Sequence, residues 1–256
     1  MMILNITAAS YVGCVRKQNE DMVLVGSHIM RDDKYSTQVD LNVLDRFLIA
    51  IADGMGGHNR GDVASSDVLH NLQFFYHDMP IGLKAGDFNE TMVGWLDSIN
   101  NFVASKGRAD EQYKGMGTTL VAFAYYGGAF FTMNCGDSRL YRFREGELTQ
   151  LTTDHSLSNM LGTEKHSSII TNCIGGGCGS SFIDIVQISD DIHYGDQYLL
   201  CSDGLTDLLS DEMINSLLSK GSDAPSLCDA AIAAGGFDNV SCCVISVNKE
   251  GGALCH

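Results

Sequence analysis

Four aspartates, Asp53, Asp137, Asp203 and Asp238, each stand at the end of an apolar run, and the first three have a glycine beside them. A fifth, Asp21, precedes another apolar run and shares six residues with Arg16, Asn19 and Glu20. Carboxylates gathered in one place repel one another and resist desolvation, so such a cluster calls for cations. With oxygen donors throughout and no His or Cys in the pattern, the ions that suit it are Mg²⁺ or Mn²⁺. Two such ions, roughly 3.5–4 Å apart, activate a shared water and clamp the oxygens of a phosphoryl group in an in-line displacement. The chemistry this pattern could perform is therefore hydrolysis of a phosphate ester. Taken singly, an Asp-Gly pair is equally an ordinary turn. The charged segment from Arg16 to Asp21 is satisfied by a ligand or by solvent alike. It is the recurrence at strand ends that points to a site.

The elements that must position these acids can be read from the periodicity. Residues 47–52, F-L-I-A-I-A, form a continuous apolar run, the mark of a strand covered on both faces, and Gly54, Gly56 and Gly57 let the chain turn after it. Residues 120–126 and 129–135 read as a hairpin joined by Gly127-Gly128, ending at Gly136-Asp137. Residues 197–201 end at Ser202-Asp203-Gly204, and Asp238-Asn239 precedes a strand over 240–247. The runs 4–9 and 22–26 could pair as neighbours, which would place Arg16 to Asp21 at one sheet end. Apolar residues at helical spacing predict helices over 61–79 and about 89–105, the second ended by Gly107, and shorter ones near 211–214 and 223–234 capped by Asp211 and Asp223. Residues 151–179, rich in Ser, Thr and Gly, have the composition of a mobile surface flap.

A chain of 256 residues with 45% apolar content and only two prolines, Pro80 and Pro225, fits a single layered domain over 1–256 without a low-complexity linker. The formal net charge of −16 disfavours nucleic acid and anionic membranes as partners. The most apolar window, 120–133, is broken by Gly127-Gly128 and falls short of the roughly 20 residues that span a bilayer. Without a signal-peptide pattern at the N-terminus, a cytoplasmic protein is expected. Five of the nine cysteines lie in or beside strand-like runs, where a thiol acts as a small apolar group. Cys173 and Cys178 stand in a Gly-rich loop with no second pair at zinc-ligand spacing, so reduced thiols are the expectation. No cysteine has an arginine six residues on, which excludes a C-x5-R phosphatase loop.

The runs R-K-Q-N-E-D (16–21), A-D-G-M-G-G-H (52–58), G-M-G-T-T (115–119), G-D-S-R-x-Y (136–141), D-H-S (154–156), C-S-D-G-L (201–205) and D-N (238–239) resemble, in order and spacing, the metal-dependent serine/threonine protein phosphatases of the PPM (type 2C) family, bacterial branch. The resemblance covers nearly the whole chain. It implies an α+β fold, a four-layer α-β-β-α sandwich of two antiparallel sheets flanked by helix pairs. It implies a phosphoprotein phosphatase acting on phosphoserine and phosphothreonine, in which a hydroxide bridging two Mn²⁺ or Mg²⁺ ions attacks in line. By the same resemblance Asp53 bridges both ions and Gly54 offers its carbonyl. Asp203 and Asp238 hold one ion, Glu20 and Asp21 the other, and Asp137 helps hold a weaker third. Arg16 resembles the guanidinium that grips the phosphate, a task its planar fork suits. His58 stands three residues beyond the place where animal members carry a His, which Met55 fills here, so His58 or water protonates the leaving group. The flap, about 154–180, is short and reads Asn172-Cys173-Ile174-Gly175 where the family carries apolar-Arg-apolar-Gly.

The implied partners are phosphorylated proteins and a serine/threonine kinase counterpart, with no nucleic acid, no membrane and a monomeric state. Two other readings follow from the same residues. One is a catalytically weak phospho-binding or scaffold protein of the same fold; retention of every ligand match counts against it. The other is an enzyme for small phosphate esters, separable by rates on phosphoSer, phosphoThr and phosphoTyr peptides.

Overall fold

Each long apolar run becomes a strand because it has two faces to bury. In the computed structural model, which describes residues 2–56, 60–162 and 169–249, the chain begins with β1 (Met2–Tyr11), β2 (Met22–Val25), β3 (His28–Met30), β4 (Lys34–Asp40), β5 (Arg46–Ala52) and β6 (Gly54–Met55). The helices α1 (Gly61–Asp78) and α2 (Ala85–Ala109) follow, then β7 (Gly117–Thr118), β8 (Leu120–Tyr126), β9 (Ala129–Cys135), β10 (Arg139–Arg144) and β11 (Glu147–Gln150). The remainder is α3 (Leu157–Leu161), β12 (Ile174–Gly175), β13 (Asp184–Gln187), β14 (Gln197–Cys201), α4 (Asp203–Thr206), α5 (Asp211–Ser219), α6 (Ala224–Ala233) and β15 (Val240–Lys249).

Two antiparallel six-stranded sheets result, ordered β11-β10-β14-β15-β1-β4 and β13-β9-β8-β5-β2-β3, with a small third sheet β12-β7-β6. In β5, Ile49 and Ile51 face a core between the large sheets shared with Leu4, Phe123, Leu200 and Ile245. Leu48, Ala50 and Ala52 face the other way, onto Leu69, Leu72, Trp95 and Ile99 of α1 and α2. Likewise Cys243 and Ile245 of β15 face the inter-sheet core, while Cys242 and Val244 pack on Ile214, Leu227 and Ala231 of α5 and α6. The layers are thus helices, sheet, sheet, helices, the expected α-β-β-α sandwich. Truncating the fully buried Ile51 to Ala is expected to cost about 2–5 kcal/mol in urea unfolding. The same change at the half-exposed Val186 should stay within about 0.5 kcal/mol.

The structure corrects three expectations. β1 and β2 do not pair: β1 lies between β15 and β4, and β2 between β3 and β5, so residues 12–21 carry the chain from one sheet to the other. Gly107 does not end α2, because Lys106 holds the last turn through Asp67 (2.7 Å) and the ring of Tyr113. The cap of α5 is Ser210, whose hydroxyl accepts from Met213 N–H, with Asp211 inside the first turn; Asp223 does cap α6. Of the segment read as a flap, residues 163–168 lie outside the described residues; on either side of them His155, Ser156, Asn172, Cys173 and Ile174 are buried, and Ile174–Gly175 pairs with Thr118–Gly117.

Candidate active site

The strand registers bring the acids to one edge. Met22 pairs with Ala52, so Asp21 and Asp53 emerge side by side. Cys201 pairs with Cys242 in the other sheet, placing Asp203 just past the end of β14 and Asp238 just ahead of β15. Leu120 pairs with Cys135, so Asp137 leaves β9 beside Thr119. Asp21, Asp53 and Asp137 thus come from one sheet and Asp203 and Asp238 from the other, and the crossing segment that carries Arg16 and Glu20 runs between them.

Backbone clamps fix these positions. The carbonyl of Asp53 accepts from Thr119 N–H (2.9 Å) and the Thr118 hydroxyl (2.8 Å), and Asp53 N–H donates to Thr119 Oγ1 (3.0 Å). Gly54 donates to Glu20 O (3.2 Å), and a Cβ on it would sit 2.3 Å from Gly61 O and 2.5 Å from Glu20 O. Its value is therefore close approach, and the turn itself falls to Gly56 at φ +133. Asn239 ties down the crossing segment: its Nδ2 donates to Val12 O and Gln18 O (both 3.0 Å), and its Oδ1 accepts from Glu20 N–H (2.9 Å). The Ser202 hydroxyl donates to Asp21 Oδ2 (2.8 Å) across the two sheets. Arg139 grips Asp154 through both carboxylate oxygens, and His155 Nδ1 accepts from Gly136 N–H (3.0 Å), which holds the corner that carries Asp137.

The electrostatics are those of crowded acids. Burial, helped by Asp203 and Asp238, pushes the Asp21 carboxyl up to about 7. Burial and the charge of Asp203 take Asp137 to about 7, and burial with Asp207 takes Asp203 to about 6. Asp53, buried against Asp21, Asp203 and Asp137, is raised well above the carboxylate range and shares a hydrogen bond with Asp203. Glu20 is raised by burial and by Asp62. Arg16, half-exposed, rests on Asp238 Oδ2 at 2.6 Å, which raises the guanidinium further.

This donor set fits a hard divalent cation. It is all oxygen, and two buried carboxylate oxygens, Asp21 Oδ1 and Asp137 Oδ1, have no hydrogen-bond partner. Among the described residues no three acidic, histidine or cysteine side chains are already gathered in a group ready to hold an ion. The Asp53–Asp203 hydrogen bond and the Arg16–Asp238 ion pair engage oxygens that coordination would use, so loading requires both contacts to be given up.

The structure thus gathers Arg16, Glu20, Asp21, Asp53, Gly54, Asp137, Asp203 and Asp238 at one edge; His58 lies outside the described residues. It adds Asp207, one turn beyond Asp203, whose charge acts on both Asp203 and Asp137. With Gly204, Thr206, Leu208, Phe237 and Asp238 it lines a cleft of 520 Å³. The signal was the i, i+4 spacing in D-G-L-T-D, hidden because Asp203 reads as a strand end and not as the first residue of a helix. Arg31 was also missed: it donates to Asp21 O (2.7 Å), Asp62 O (2.8 Å) and Ser65 Oγ (2.9 Å), pinning α1 to the site.

Residues 25–230 match the family model for protein phosphatase 2C. The chain is 33% identical, over 96% of its length, to the serine/threonine protein phosphatase PstP of Mycobacterium tuberculosis, but spans only 45% of that relative. It is 32% identical to the protein phosphatase PhpP of Streptococcus pneumoniae, covering 96% of this chain and 99% of the other. The crystal structure of the catalytic domain of PstP in complex with two manganese ions superposes with a TM-score of 0.71 at 31% identity, covering 97% of this chain and all of that one. A family match over most of the chain, joined to relatives above 30% identity along nearly all of it, means that this chain belongs to the protein phosphatase 2C family.

Proposed function

We propose that this chain is a metal-dependent phosphatase that removes phosphate from phosphoserine and phosphothreonine side chains of proteins, opposing a serine/threonine kinase in the cytoplasm and acting as a monomer. The observation that carries the reading is the convergence of five strand-end aspartates from both sheets on one edge, with the carboxyls of Asp21, Asp53, Asp137 and Asp203 held above the usual range. Two ions, Mn²⁺ or Mg²⁺, with a weaker third, supply neutralising charge and an activated water when bound. Asp53, with the Gly54 carbonyl, would be shared by both ions, Asp203 and Asp238 would hold one, Glu20 and Asp21 the other, and Asp137 would help hold the third. Arg16, released from Asp238, takes the phosphate oxygens, and the leaving alkoxide gains its proton from His58 or water. Among the described residues no helix is long and apolar enough to cross a membrane.

The test is hydrolysis of matched phosphoThr, phosphoSer and phosphoTyr peptides with and without millimolar Mn²⁺. Activity on the first two that appears with Mn²⁺ and disappears on chelation is expected. A folded, Mn²⁺-loaded protein that binds the peptides without turning them over would replace this reading with the phospho-binding one.

A further inference from the structure

The site leaves one chemically capable group unused. In the run C-I-G-G-G-C, the chain leaves β12 and turns back on itself, and Cys173 Sγ lies 3.2 Å from Cys178 Sγ. Three consecutive glycines at positive φ make the reversal: Gly175 (+76), Gly176 (+61) and Gly177 (+82). Cys178 N–H closes it on Gly175 O at 2.9 Å. A Cβ on Gly176 would stand 2.6 Å from Cys173 Sγ, so the turn leaves room for that sulfur and for nothing larger than glycine opposite it. The loop is closed at its base as well. Phe182 N–H donates to Asn172 Oδ1 (3.0 Å), and Asn172 Nδ2 donates back to Phe182 O (2.8 Å).

We propose that Cys173 and Cys178 are a modification site, a thiol pair that a hydroperoxide oxidises to an intramolecular disulfide and a dithiol reductant restores. The loop already holds both sulfurs within contact, so the bond can form by local adjustment with no domain motion. The division of labour follows from exposure. Cys173 is 3% exposed, and burial raises its thiol above the ordinary range, whereas Cys178 is only partly buried. Cys178 thiolate attacks one peroxide oxygen and the O–O bond breaks. The released oxygen leaves as water or alcohol, and Cys178 becomes a sulfenic acid. Cys173 sulfur then attacks Cys178 sulfur; the S–S bond forms, the S–O bond breaks, and hydroxide departs with the Cys173 proton as water. Both thiols are oxidised, and two electrons have passed to the peroxide. The bond would form next to the small sheet that carries Gly54 and Met55, since Gly175 pairs with Gly117 and Gly117 with Met55.

The experiment treats the reduced full chain with one equivalent of hydrogen peroxide, without added metal, and maps cysteines by alkylation and peptide mass spectrometry. The expected result is a Cys173–Cys178 cross-linked peptide, two hydrogens lighter than its reduced form, that reverts with dithiothreitol. In Cys178→Ser the pair should be lost and Cys173 should stay reduced, while Cys14→Ser, which alters an exposed thiol outside this loop, should leave the cross-link unchanged. Recovery of Cys178 as sulfinic or sulfonic acid with Cys173 still alkylatable, or a cross-link to any other cysteine in its place, would overturn the proposal. Because the readout is covalent, it stands or falls independently of phosphatase activity.

Discussion

Asp203→Asn loses phosphopeptide hydrolysis by on the order of 10³-fold, and the metal-free variant is harder to unfold than the parent. The two halves of this result have one cause. Asp203 is held at about 6 by burial and by Asp207, and it shares a hydrogen bond with Asp53. An amide keeps the shape and the acceptor but contributes no charge to a cation. It also removes a like charge from beside Asp53 and Asp137, worth on the order of 2 kcal/mol at pH 8. Lost turnover in a better-folded protein separates a missing ligand from a damaged fold, which a simple loss of activity would not. Hydrolysis rates in Mn²⁺ and melting temperatures in chelator measure the two, and near-normal turnover in the variant would remove Asp203 from the site.

Removal of metal should make stability fall as pH rises. Asp21 and Asp137 go from an ordinary 3.8 to about 7 in the folded protein, Asp203 to about 6, and Asp53 moves in the same direction. The folded state therefore holds protons that the unfolded state has released. That contribution is complete below about pH 4 and disappears as pH climbs through 6 and 7, with about 4 kcal/mol at stake for a carboxyl taken from 3.8 to about 7. Mn²⁺ has the opposite slope, because it binds only ionised carboxylates, so the stabilisation it gives should grow over the same interval. Melting curves from pH 5 to 8, with chelator and with Mn²⁺, should converge at the acid end and separate toward the alkaline end. A chelated protein that becomes more stable over this range would contradict the crowding of these acids.

Much of this was legible in the residues. A strand buried on both faces cannot alternate, so F-L-I-A-I-A announces its place between two cores, and the first charged residue after it marks a sheet edge. The acids were found that way. What stayed hidden depends on which partners a segment meets. β4 alternates exposed Lys34, Ser36 and Gln38 with partly covered neighbours, as an edge strand does, and resembles a loop in composition. The two-residue strands β6, β7 and β12 are too short to carry a period, yet they join the Asp53 corner to the Gly115–Thr119 run and to the Gly-rich loop. Arg31 looks like any surface cation until α1 closes over it.

One feature of the sheet order bears on synthesis. β15 is inserted between β14 and β1 and pairs with β1 along ten residues, from Tyr11↔Val240 to Met2↔Lys249. A nascent chain made only as far as α4 already contains Asp21, Asp53, Asp137 and Asp203, but one of its two sheets has a gap where an inner strand belongs. Asp238 and Asn239, which secure Arg16 and the crossing segment, arrive together with the strand that fills the gap. Contacts of such high sequence separation form late and slowly. In the order of synthesis, the last of the site's aspartates thus comes with the strand that completes its sheet.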